Sequence, residues 1–133
     1  MIQRFRLDKL TLLAGLVPRL ALAISAIPQT HTQWFLPFLM AAPRQGFDPW
    51  TGFLASGGQS AAFPYGFLFL AAFEPATWIG SLVGGSYGAH VGLALAILFW
   101  EFVLLAAIVG VGGNSRGAAA ARVYWLSPVP IYV

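Results

Sequence analysis

The chain has 133 residues, of which 8% are charged and 59% hydrophobic, and its net charge is +3. A soluble domain carries about 25% charged residues, so an ordinary water-facing globule and a disordered chain are both excluded. The absence of cysteine removes disulfides, iron–sulfur clusters and thiolate zinc sites, and the small positive charge, gathered mostly near the N-terminus, cannot form the dense basic face that nucleic acid requires.

These limits leave an all-α, polytopic transmembrane bundle of about three full spans plus a partial fourth, with short interfacial helices in its first outer loop. Residues 1–133 read as one transmembrane region, with spans near 10–27, 63–84, 89–111 and 118–133. The first span, LTLLAGLVPRLALAISAI, is preceded by Arg4, Arg6 and Lys9, which place the N-terminus in the cytoplasm. Arg19 interrupts the apolar run that a cleavable signal peptide needs, so this helix is expected to stay attached. Pro28 ends it. Residues 29–62 hold several prolines, the pair Gly57-Gly58 and many aromatics among polar groups, a mixture that favours the membrane–water boundary. Two short interfacial helices are expected, near Gln33–Ala42 and Pro49–Ser56, the second with Asp48 as its N-cap and Pro49 in its first turn.

The second span opens with Pro64 in its first turn, and Pro75 is expected to kink it. Residues 84–88, GGSYG, read as a turn. The third span, 89–111, carries His90 and Glu101 as its ionisable residues. Residues 112–117 break it, and an apolar segment follows that ends on Ile131-Tyr132-Val133. A chain end in mid-bilayer is costly, so the sequence reads as the N-terminal part of a longer protein whose remaining helices complete the bundle. Two signals conflict over topology. Three crossings place Arg116 and Arg122 outside, whereas the positive-inside rule prefers them in the cytoplasm, which would make 63–84 re-entrant. Hydrophobic length favours three crossings.

Arg19, Glu74 and Glu101 each fall near the middle of a proposed span. An ionisable group there costs about 2.5–3.5 kcal/mol on insertion scales, so a buried polar cluster is expected in which Arg19 pairs with Glu74 or Glu101. Such a cluster either fixes helix register or lines a polar path. Asp48 is the lone carboxylate of the outer loop, a cap by type, or a general base or metal contact by position. Arg44 has the charge to bind a phosphate or to anchor to headgroups. His31 and His90 lack metal-ligand spacing and read as packing residues. Gly80 and Gly84 give a weak helix-packing signal.

The order of features is more specific than any one of them. A first helix with a mid-span Arg leads to Phe47-Asp48-Pro49-Trp50, then Gly57-Gly58, then Phe63-Pro64-Tyr65-Gly66 opening a helix, and later Tyr124-Trp125-Leu126-Ser127-Pro128. This resembles the N-terminal part of the GT-C superfamily, polytopic glycosyltransferases that use polyprenyl-phosphate sugars, of the bacterial mannosyl- and arabinosyltransferase type. The resemblance implies transfer of a sugar from a lipid-linked donor to an acceptor on the outer face of the inner membrane. It implies Asp48 as catalytic residue, Arg44 on the donor phosphate, and a divalent ion, Mg2+ or Mn2+, as the one cofactor to consider. Membrane lipid and the lipid-linked donor are the expected partners. The stretch 29–38 has no acid, where the superfamily often carries one. A fragment of this kind is expected to be inactive alone. The alternatives are a small non-catalytic membrane subunit and a fragment of a transporter, in which Pro75 and the mid-span carboxylates would mark the substrate or proton path.

Overall fold

The computed structural model describes residues 8–112 and 116–127. Arg4 and Arg6, residues 113–115 of the segment 112–117, and the chain end with Pro128, Pro130 and Tyr132 lie outside those residues. Among the described residues every regular element is helical: α1 (Lys9–Ser25), α2 (Leu36–Ala41), α3 (Pro49–Ala55), α4 (Gly66–Gly112) and α5 (Ala118–Leu126). The chain divides into two compact units, one made of residues up to Ser25 together with those from Leu98 onward, the other of Ala26–Ile97.

Three full spans are not shown. Among the described residues one helix, α4, is long and apolar enough to cross a membrane. The reason is length: α1 has 17 residues and α5 has 9, against the roughly 20 that a hydrocarbon core asks of a helix. In α4 the most apolar 18-residue stretch is only 17% buried by the chain itself. So much uncovered apolar surface calls for lipid or further protein around it.

Helix α4 is itself folded back. Gly84 (φ −135°, ψ 22°) and Gly85 (φ 58°, ψ −142°) leave helical geometry, and the Gly85 conformation is open essentially to glycine alone. The limbs 66–83 and 86–97 therefore meet, and their backbones touch. A Cβ on Gly80 would run into the Gly88 carbonyl, and one on Gly92 into the Ala76 carbonyl. The expected turn thus occupies the first two residues of 84–88, and Gly88 belongs to the contact between limbs. At Pro75 the backbone keeps helical dihedrals, and the helix leaves them at Gly84-Gly85, where the turn is expected.

In the same unit the outer loop is more ordered than interfacial helices alone would be. A wide helical turn at His31–Phe35 runs directly into α2, a tight turn at Ala42–Arg44 follows, and α3 begins at Pro49. Several of the aromatics form a core. Phe38, 1% exposed, stacks on Phe63 at 5.1 Å and meets Phe53 edge-on at 5.3 Å. The Trp50 indole donates to the Phe63 carbonyl at 2.8 Å and packs on Phe67 at 4.7 Å. These contacts fasten the loop to the start of α4. Phe47, by contrast, is fully exposed.

The other unit packs α1 and α5 against residues 98–112. Its core is Leu105, Ala121 and Trp125, each 0% exposed. Gly15 is where the Trp125 ring passes so close that a Cβ would overlap it. Asp8, just before α1, accepts from the Thr11 N–H and hydroxyl at 2.8 Å each, and meets Arg122 at 3.2 Å.

Candidate functional site

Polar groups gather in two places, one in each unit. In the first, Arg19 is buried on α1. Its Nε donates to Glu101 at 2.8 Å, and Nη1 donates to the carbonyls of Gly15 (3.0 Å) and Trp125 (2.8 Å). The guanidinium also lies 4.3 Å from the centre of the Trp125 ring, a cation–π geometry. The Trp125 indole in turn donates to the Leu12 carbonyl at 3.1 Å. Of the three residues expected to cluster, Arg19 and Glu101 are brought together. Glu74 belongs to the other unit. An ion pair with these hydrogen bonds made inside the chain is a clasp between helices.

The second place is the outer loop. Asp48 is the N-cap of α3: it accepts from the Thr51 N–H at 3.2 Å and from the Thr51 hydroxyl at 2.7 Å. These bonds hold its carboxyl below the usual carboxylate range, so it stays ionised further into acid. The same effect weakens it as a base. Each oxygen retains lone pairs beyond those Thr51 occupies, enough to meet one face of a divalent ion whose other ligands are water and phosphate oxygens. Among the described residues no three His, Asp or Glu converge as a ready-made metal site. Arg44 is exposed and makes no ion pair among the described residues.

Beside this loop runs a groove of about 270 Å³. Its walls are Pro43, Phe47 and Pro49 from the loop and Phe67, Leu70 and Glu74 from α4. Glu74 is half-buried there and has no hydrogen-bond partner among the described residues. Sequence reading placed it by depth in a span; its position along a groove edged by the Asp48 loop depends on how that loop folds down.

One pairing escaped the sequence reading. His31 and His90 are 59 positions apart in the chain, yet their rings lie 5.7 Å apart, both buried, between Phe35 and Tyr87. Burial first, then the neighbouring His90 ring, hold His31 below its ordinary range. The pair ties the start of the outer loop to the second limb of α4. No spacing rule could find it, because the residues sit on different elements.

Comparison with known protein families, with curated proteins and with solved structures gives no match.

Proposed function

We propose that this chain is the N-terminal portion of an integral membrane glycosyltransferase of the bacterial inner membrane that uses a polyprenyl-phosphate sugar. The observation that carries this reading is the apolar groove of Phe47, Phe67 and Leu70, which runs from a membrane-length helix to a loop bearing one carboxylate and one free cation. An isoprenoid tail suits the groove, and the phosphate then lies at the loop. There the bond between the anomeric carbon and the phosphate oxygen breaks as the acceptor oxygen attacks that carbon. The acceptor hydroxyl loses its proton to a carboxylate or to water, and the polyprenyl phosphate leaves with its charge screened by Arg44. With its lowered pKa, Asp48 serves better as an anionic contact, orienting the acceptor hydroxyl or holding Mg2+ or Mn2+, than as a strong base. A divalent ion held there would add Lewis-acid screening of the leaving phosphate.

Asp48→Asn tests this directly. Asparagine caps helices about as well as aspartate, so the fold should survive while the charge is lost. In membranes containing the protein with whatever sequence continues its reading frame, transfer of labelled sugar should fall about 10²-fold or more at unchanged abundance. Unchanged transfer would remove Asp48 from the chemistry. Loss of function in Glu74→Gln, with Asp48→Asn harmless, would favour the transporter.

The Asp8–Arg122 ion pair supports a particular topology. It joins the beginning of α1 to α5, and Trp125 then meets Leu12 and Gly15 further along the same helix. Arg122 therefore lies at the same end of α1 as Lys9, as the positive-inside rule asks. This favours an even number of crossings between Asp8 and Arg122 over the three that hydrophobic length favours. The chain has no native cysteine, so single cysteines report cleanly. Lys9→Cys and Ala119→Cys, at exposed positions beside that contact, should both react with an impermeant maleimide from one and the same face. Labelling from opposite faces would restore an odd number of crossings.

A further inference from the structure

A second opening lies on the outer loop, with walls of different chemistry from those of the groove. It measures about 270 Å³, and its lining includes Gln33, Phe53, Ser56, Gly57, Gly58 and Gln59. No residue lining it carries a charge. The two glutamine amides make no hydrogen bonds among the described residues. The Ser56 hydroxyl donates to the Phe53 carbonyl at 2.8 Å, which leaves its oxygen free to accept. The N–H groups of Gly57 and Gly58 are already spent on Leu54 and Phe53. Gly58 lies against the Phe53 ring with no room for a Cβ, so the floor is apolar and firm.

We infer that this pocket binds the ring of one uncharged sugar. Each amide offers both a donor and an acceptor, and adjacent sugar hydroxyls ask for both. An apolar floor beneath polar walls suits the two faces of a pyranose. The lack of any cation argues against phosphate, and about 270 Å³ limits the occupant to a small ligand. The inference rests on the glycosyltransferase reading for the identity of the ligand, and it extends that reading by assigning the sugar to a place other than the Asp48 rim.

The test uses the chain in phosphatidylglycerol nanodiscs, with methyl α-D-mannopyranoside as probe and saturation-transfer NMR as readout. Ring protons of the glycoside should receive saturation, and the corresponding mannuronide, which is charged, should receive little. Gln33→Ala combined with Gln59→Ala should lower the signal about tenfold, as loss of one or two hydrogen bonds would, with helicity unchanged by circular dichroism. Equal signals from the parent and the double variant, or none from the parent, would overturn the inference. Adding a polyprenyl-phosphate mannose distinguishes two sources of the ring. Displacement of the glycoside identifies the donor sugar, and joint binding identifies the acceptor. Glycoside binding without transfer in the longer protein would sink the transferase reading and leave the pocket standing. Transfer that ignores both glutamines would do the reverse.

Discussion

Glu101→Ala should destabilise the protein by about 3–5 kcal/mol, the cost of breaking a buried ion pair from one side. The size follows from what remains. Arg19 is 6% exposed, and its charge would stay enclosed between α1 and Trp125 with two carbonyls but no anion. Arg19→Ala should cost a similar amount, because Glu101 is then the orphan and the Trp125 carbonyl loses its donor. The decisive comparison is the double variant Arg19→Met, Glu101→Met. Replacing both charges with apolar side chains of similar length removes the desolvation penalty and should recover much of the loss. The measurement is denaturant unfolding in detergent micelles. A double variant as unstable as the singles would mean that the hydrogen bonds from Arg19 to Gly15 and Trp125, rather than the ion pair, hold these helices.

That pair also shows how far the sequence could be read. Three ionisable residues at similar depth in apolar runs demand partners, and so an internal pair is legible without coordinates. Which acid takes Arg19 is not, since Glu74 and Glu101 satisfy the same depth rule and differ only in how α4 folds. The outer-loop helices and the Asp48 cap are legible because Pro49, Asp48 and the aromatic spacing act locally. The number of crossings is not. The Asp8–Arg122 contact spans 114 positions, and nothing in a hydropathy profile records it. The two openings are likewise products of tertiary folding: Gln33 and Gln59 lie on either side of α2 and α3, and Glu74 is joined to Phe47 only once the loop is fastened through Phe38, Trp50 and Phe63. The Gly80 signal was visible, but its partners, Gly88 and Gly92, read as turn and span residues until the limbs are seen to touch.

Those glycines give the second large effect, and its sign can be set against an internal control. Gly110 has open space where a Cβ would go. Gly110→Ala should therefore stabilise the helix by up to about 1 kcal/mol, the ordinary gain from replacing glycine in a helix interior. Gly80→Ala makes the same chemical change and should do the opposite. Its new Cβ meets the Gly88 carbonyl, and backbone on a packed limb cannot swing aside as a side chain does. Separating the limbs enough to admit it should cost about 1–3 kcal/mol, and Gly80→Leu more. The close approach is itself the source of limb association where lipid supplies no hydrophobic drive, because small residues let backbones gain dispersion contact. Unfolding of the two alanine variants in the same detergent should therefore move in opposite directions from the parent. If Gly80→Ala is as stable as Gly110→Ala, the limbs are not in backbone contact, and the fold of residues 66–97 must be redrawn.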